Sequence, residues 1–455
     1  MEWSNIVSTS RTGVAKTSAG VRTEYQRDFD RLIFSSGFRR LQNKTQVFPL
    51  PGSTFVHNRL THSLEVASVG RSIGTIAGRK IAAGMDGDIG DFYNYELSAV
   101  IASACLAHDI GNPAFGHSGE KAISNYFIEN AEETIEGKKL QDYFSQGEWN
   151  DLTNFEGNAN AFRILTTKFK GKSTGGLRLT YTTLAALLKY PCESGASVKG
   201  AKHRSKYGFF QAEKETALDI CKELNMIEES TAPLVYKRHP FVYLTEAADD
   251  ICYRVIDYED AHRLNILSSS EIETDFIALI ENIGRPDEKM DRLHKTLNSI
   301  EDQNERISYL RAKCINNLTL EAADIFHKNA SSILSGTYNN SLVDELESSS
   351  PALKKIARTS VTRIYNHRTV VEIEIAGYNV MSELLSLFVP PILKAKPSKK
   401  DEKVLLLIPQ QFIPDGKASA YERVLSVLDF VSGMTDPFAT ELYRKVTGIE
   451  TPKHG

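Results

Sequence analysis

Only five cysteines occur in 455 residues, Cys105, Cys192, Cys221, Cys252 and Cys314, and none is spaced as one of a pair. That scatter excludes a disulfide framework and a cysteine zinc motif, and a reducing compartment is the simplest reading. No apolar run approaches the roughly 20 residues of a bilayer span, and the N-terminus lacks the apolar core of a secretion signal. No membrane association is therefore expected, and the cytoplasm is the expected location. A charge excess of one sign is missing as well: 54 Lys and Arg stand against 58 Asp and Glu, a net charge of −4. That balance argues against nonspecific nucleic-acid binding as the main task. There is no internal repeat, heptad array or long low-complexity tract, which removes solenoids and coiled coils. What is present, 41% hydrophobic and 25% charged residues, is the composition of an ordinary globular protein with ample core.

Hydrophobic periodicity of the helical kind recurs at about 59–83, 96–109, 117–130, 155–168, 180–190, 211–225, 241–265, 271–283 and 286–315. Loops are marked by the Gly/Asp-rich stretch 84–91 and by Gly-Lys-Gly at 171–176. Strands are few. The β-branched runs 369–373 and 404–408 fit either strand or helix, and the basic stretch 394–400 reads as a solvated loop. The expected class is mainly α: a mobile segment at 1–20, a helical core at 21–265, and a helical region at 266–455 that builds partner contacts.

Within these helices, polar side chains fall where apolar ones belong. In the run Ala102 to Glu120, His108 lies seven residues after Ile101 and four after Ala104, on their core-facing stripe, with Asp109 beside it before the chain breaks at Gly111-Asn112-Pro113. In Asn58 to Val66, Arg59 and His62 share one helical face beside the Leu60/Leu64 stripe. In Tyr243 to Asp257, the residues Asp249, Tyr253 and Asp257 follow at four-residue steps and line one side of a helix. A single such histidine is most often a satisfied core residue. Two histidines and two carboxylates from three helices instead compose a donor set suited to a divalent ion with open positions for water or substrate.

At these residues the chain resembles the HD-domain phosphohydrolases and, more narrowly, the deoxyguanosine triphosphate triphosphohydrolase family. The resemblance is carried by Phe38 to Phe48, by Leu60-Thr61-His62-Ser63-Leu64-Glu65-Val66 and by the His108 to Glu120 segment. It continues through Asn154 to Asn158, Arg178 to Tyr181, Glu246 to Tyr253 and the late Val431-Ser432-Gly433-Met434-Thr435-Asp436, so that it spans about 20–446. Asn112 and Ala114 depart from the His-Pro-Pro of many relatives, which reads as a loop change beside the metal.

The resemblance implies an HD-type helical core with metal ligands at His62, His108, Asp109 and Asp249, binding Mn or Mg. Asp249 is preferred to Asp250 because the family's ligand lies four residues before a sugar-contacting tyrosine, a place Tyr253 takes. It further implies a catalytic histidine at His117 supported by Glu120, nucleotide contacts at Gln46 and Arg59, and contacts to the deoxyribose at Tyr253 and Asp257. In the basic run 199–206, Lys206 with Tyr207 is the pair expected to meet phosphate; Lys189, His203 and Arg204 read equally as solvated. Glu156 and Asn158 are read as organising a helix. The implied reaction is hydrolysis of a deoxynucleoside triphosphate, dGTP first, to deoxynucleoside and tripolyphosphate by a homo-oligomer, often a hexamer, with a nucleotide or single-stranded DNA effector. The competing readings are an HD nucleotidase or phosphodiesterase, a nucleotide sensor or nucleic-acid binder with vestigial hydrolysis, and a structural metal protein.

Overall fold

The computed structural model describes residues 1–13, 21–48, 56–169, 174–284, 290–413 and 416–450. Among them the chain is helical almost throughout, and the sheets are two antiparallel pairs, Thr134–Ile135 with Lys138–Lys139 and Glu228–Thr231 with Leu234–Tyr236. The centre is a helix at Arg59–Ala82, opened by a capping box in which Asn58 and Thr61 bond each other's backbone N–H groups. Against it lies Leu97–Ala107, apolar but for Ser98 and Ser103 and buried from Val100 onward. Glycine permits their close approach: a Cβ on Gly70 would collide with Cys105 Sγ, and one on Gly78 with the Tyr93 carbonyl. This contact brings the N-terminal turn of the first helix beside the C-terminal end of the second, and so His62 beside His108.

The third central element, Pro240–Arg263, carries proline in its first turn, where no intrahelical donor is lost, and is capped by the His239 side chain. His57 staples it to the first helix, its Nδ1 lying 2.7 Å from Asp260 Oδ1 and its Nε2 3.1 Å from Glu65 Oε1. Burial alone would lower the imidazole's affinity for a proton, but the two carboxylates outweigh it and push the pKa up to about 10. Because the folded value exceeds the ~6.5 of an unfolded histidine, this stabilisation is complete below about pH 6.5 and is lost as pH rises through about 10. The stability difference between wild type and His57→Gln, from urea melts, is therefore expected to shrink steadily over that window. A difference that stays flat would show the cationic staple to be absent.

Two hydrophobic cores form, and neither respects a division at 265. One joins Val66, Ile101 and Leu244 to Phe276, Leu310 and Phe326. The other joins Ile123 and Phe127 of the helix His117–Glu129 to Leu384 and Phe388 of Arg368–Leu393 and to Val424 and Leu428 of Ala420–Ser432.

Several expectations are corrected. Residues 1–13 are packed down rather than mobile: Ile6 is fully buried, and Arg11 places its guanidinium 2.5 Å from Asp28 and 2.8 Å from Glu24, a buried charge that holds only because it is paired. The remainder of that segment, 14–20, lies outside the described residues, as does part of the Gly-Lys-Gly loop. The helix expected at 286–315 is broken into Met290–Asn298 and Gln303–Lys328. The ambiguous run 369–373 is helical, inside Arg368–Leu393, and 404–408 is the end and exit turn of the helix Lys399–Leu405. By length and mean hydropathy Arg368–Leu393 would suffice to cross a bilayer, contrary to the expectation that no such stretch exists. Its apolar face instead fills the second core through Val380, Met381, Leu384, Leu385 and Phe388.

Candidate active site

His62 stands on the first turn of its helix and is almost fully buried, Asp249 projects from the middle of the Pro240–Arg263 helix, and His108 caps Leu97–Ala107. The two imidazole rings lie 5.4 Å apart. Asp249 Oδ1 is 3.1 Å from His62 Nε2 and 3.4 Å from His108 Nε2, and donor atoms of the three residues all fall within 4.8 Å of one another. They can hold a metal ion.

The polar environment of His108 fits that role. Its Nδ1 lies 2.6 Å from the Cys105 carbonyl, which fixes the proton there and leaves Nε2 as an electron-pair donor. That Nε2 is buried and has no hydrogen-bond partner, and the nearby carboxylate oxygens of Asp109 and Asp249 stand at ion-pair distances of 3.5 and 3.4 Å. A buried acceptor without a donor is costly unless a cation takes it. Without an ion the same field favours a proton: burial opposes a cation at His108, yet Asp109 and Asp249 overcome it and raise the imidazole to about 9, so that a proton and a metal ion compete for Nε2. At Asp249 burial favours the neutral acid, but the two histidines hold the carboxyl well below its ordinary range. The region demands positive charge.

Asp109 lies at the edge of this group, its Oδ1 3.5 Å from His108 Nε2. Both of its oxygens are engaged, one by Arg59 Nη1 at 2.7 Å and the other by the Asn112 amide. Asn112, one of the two sequence departures, thus tethers a carboxylate that Arg59 already orients. His117 opens the next helix and is 74% exposed, with Nδ1 2.8 Å from Glu120 Oε2. Glu120 is buried and accepts from the Gly157 N–H at 2.8 Å; burial alone would raise its carboxyl, and His117 brings it below the ordinary value. The turn before His117 needs Gly116, whose φ is +57° and where a Cβ would strike the Arg59 guanidinium.

All of these groups except His62, which is buried and does not line the wall, share one cavity of about 490 Å³, a size ordinary for a small-molecule site. Its lining includes Gln46, Arg59, His108, Asp109, His117, Glu120, Asp249 and Tyr253.

Comparison with known proteins decides the family. The HD domain matches residues 59–174, which hold His62, His108, Asp109, His117 and Glu120, and the phosphohydrolase-associated domain matches 342–445. A Synechocystis protein named deoxyguanosinetriphosphate triphosphohydrolase-like is 38% identical over 99% of this chain and 100% of its own. A Pseudomonas aeruginosa protein of the same name is 36% identical with the same coverage. A Yersinia enterocolitica deoxyguanosinetriphosphate triphosphohydrolase is 32% identical over 94% of each chain. The chain belongs to the deoxyguanosinetriphosphate triphosphohydrolase-like family of HD-domain proteins. It is a hydrolase.

Not every residue singled out in the sequence reaches the wall of this HD-domain cavity. Tyr207 is buried behind it, its hydroxyl donating to the Asp151 carbonyl at 3.0 Å and its ring against Phe210, so it fills the second core instead of meeting solvent. Asp257 sits in a second layer, accepting from Tyr365 Oη at 3.0 Å, and burial holds its carboxyl well above the usual range. Lys206 does line the cavity, but its ammonium is spent on Glu156 at 2.9 Å. Lys189 lines it too and pairs with Glu246 at 3.1 Å. Glu156, read from its position as organising a helix, therefore belongs to the wall.

Tyr365 is the residue that sequence reasoning missed. It stacks on Tyr253 with ring centroids 5.2 Å apart and planes 23° from parallel, and with Val370, Ile373 and Glu374 it closes the cavity from the phosphohydrolase-associated region. Nothing in its local sequence marks it, because its partners lie more than 100 positions away.

Proposed function

We propose that the protein hydrolyses a deoxynucleoside triphosphate, dGTP first, to the deoxynucleoside and inorganic tripolyphosphate. The carrying observation is the orphaned Nε2 of His108 beside Asp249 and His62, at the wall of a nucleotide-sized cavity that also presents Arg59 and His117. A divalent ion, Mn or Mg, held by His62, His108, Asp109 and Asp249 would polarise an α-phosphate oxygen. The remaining work belongs to the chain. Arg59, already anchored on Asp109, offers its guanidinium to oxygens that gain charge as water attacks phosphorus. His117, with Nδ1 held by Glu120, turns its other nitrogen to proton transfer as the bond from phosphorus to the 5′ oxygen breaks. Gln46 Oε1, buried and unpartnered, is an acceptor available to the nucleotide.

Sugar selection falls to the Tyr253/Tyr365 stack, with Asp257 behind it fixing the Tyr365 hydroxyl; a ring against C2′ leaves no room for a 2′-hydroxyl. Tyr253→Ala is expected to lower the preference for dGTP over GTP by about tenfold or more, measured as a ratio of kcat/KM. An unchanged ratio would move sugar recognition elsewhere. Five buried free cysteines support a cytoplasmic setting. Exposed apolar side chains at Val361, Ile375, Leu406 and Phe438 support a homo-oligomer, with a hexamer and a nucleotide or single-stranded DNA effector as the fuller family expectation.

The test is incubation with each dNTP and with Mn or Mg, followed by anion separation of the products. Tripolyphosphate with deoxynucleoside is the expected pair. Orthophosphate or pyrophosphate as the first product would replace this reading with a nucleotidase or a pyrophosphohydrolase.

A further inference from the structure

The late motif Ser432-Gly433-Met434-Thr435-Asp436 is far from the cavity wall in sequence and absent from its lining, yet it reaches the two segments that build one side of it. Asp436 opens the helix Asp436–Val446 and is buried. Its Oδ2 accepts from the Thr45 N–H at 2.8 Å and its Oδ1 from the Phe115 N–H at 3.0 Å. Thr45 immediately precedes Gln46, and Phe115 lies two residues before His117. One carboxylate therefore spans the Gln46 segment and the His117 turn.

The surroundings reinforce this bridge. Lys44 Nζ donates to the Asn112 and Ser432 carbonyls, Arg40 Nη1 to the Gly433 carbonyl at 3.1 Å, and Asn160 Nδ2 to the Gly111 carbonyl at 2.6 Å and Ser432 Oγ at 3.2 Å. The Phe115 N–H is thus met directly by a turn more than 300 residues later in the chain, and the Gly111 and Asn112 carbonyls are tied to that turn through Asn160 and Lys44. The loop needs such a hold, because Phe115 has φ +62° and Gly116 φ +57°, and the left-handed region is disfavoured for a side-chain-bearing residue. Local sequence would relax this turn. The Phe115 N–H bond to a carboxylate that Thr45 also holds opposes that relaxation.

We propose that Asp436 is a positioning residue, which sets the His117 turn and the Gln46 segment in register across the cavity; the inference rests on the reading of His117 given above. Asparagine is close to aspartate in size but has one acceptor oxygen, so Asp436→Asn must release one of the two segments and present an amide donor to an N–H. With dGTP and Mn as the probe, Asp436→Asn is expected to lower kcat on the order of 10-fold to 100-fold while metal content is kept, since displacement of a proton-transfer group by about an ångström costs that much. In a His117→Ala background the same substitution is expected to cost less than about twofold in kcat, because the proton-transfer group it positions is gone, while any rise in KM from a displaced Gln46 segment persists. Equal losses in both backgrounds would show a general structural effect and overturn the proposal.

Amide hydrogen exchange supplies the independent arm. In the wild type the Phe115 and Thr45 amides are expected to be protected, and in Asp436→Asn at least one is expected to exchange faster while the Leu97–Ala107 helix stays unchanged. Should His117→Ala alone keep full turnover, the catalytic reading of His117 fails, and exchange by itself then decides whether the clamp exists. If the asparagine variant does not fold, the wild-type measurement still decides: exchange of both amides at open-loop rates would overturn the proposal.

Discussion

Asp249→Ala is expected to lose bound metal and turnover together, with kcat/KM down by at least about 10³-fold. Loss of a ligating carboxylate removes several kcal/mol of charge stabilisation from the transition state, and each 1.36 kcal/mol is about tenfold in rate. The geometry says why this carboxylate matters more than its neighbours. Asp109 is already engaged on one oxygen by Arg59 and on the other by Asn112. Asp249 meets the two histidines and is held anionic by them. On the reading proposed above it is the carboxylate that the two histidines share with the ion, and without it only Asp109, whose charge Arg59 already balances, would remain beside them. Asp250 is the control: burial pushes its carboxyl up to about 7, so it does not share the strongly anionic character of Asp249. Asp250→Ala is therefore expected to retain metal. Elemental analysis of purified protein alongside dGTP turnover reads both quantities. Stoichiometric metal with near wild-type turnover in Asp249→Ala would remove the residue from the site.

His117→Ala should separate the two quantities that Asp249→Ala joins. Proton transfer by a placed imidazole contributes about 10²-fold to 10⁴-fold, and a kcat loss in that range is expected. Metal content should hardly change, because the ring is 74% exposed and bonds Glu120 rather than any of the three clustered donors. Glu120→Gln is expected to fall between wild type and His117→Ala, since the amide still touches the ring but no longer fixes its proton with a charge. Parallel loss of metal and activity in His117→Ala would instead mark it as a ligand or a structural residue.

How much of this was readable beforehand differs by element. The helices at 59–82, 97–107, 117–129 and 240–263 were legible to within a few residues, because each carries a long run of helix-compatible apolar positions with a capping or breaking signal near its ends. The helix at 368–393 was not, because its β-branched start satisfies strand and helix alike until a neighbouring helix gives its apolar face somewhere to go. Residues 1–13 looked loose since their composition is polar, and only the buried acids Asp28 and Glu24 explain why Arg11 is fixed. Lys206 and Tyr207 show the limit of spacing arguments: adjacent side chains point apart, and one faces the cavity while the other enters the core.

The order of residues alone determined which polar groups lie on core-facing helical stripes and which chemistry they suit, because the side-chain period of a helix is fixed by backbone geometry. Tertiary structure alone decided that His62, His108 and Asp249 meet, that Tyr365 and Glu374 complete the cavity, and that Asp436 grips two segments hundreds of positions away. Those outcomes depend on how closely helices approach and on which buried donors lack a local acceptor. Such quantities arise between segments, and no window along the chain contains them.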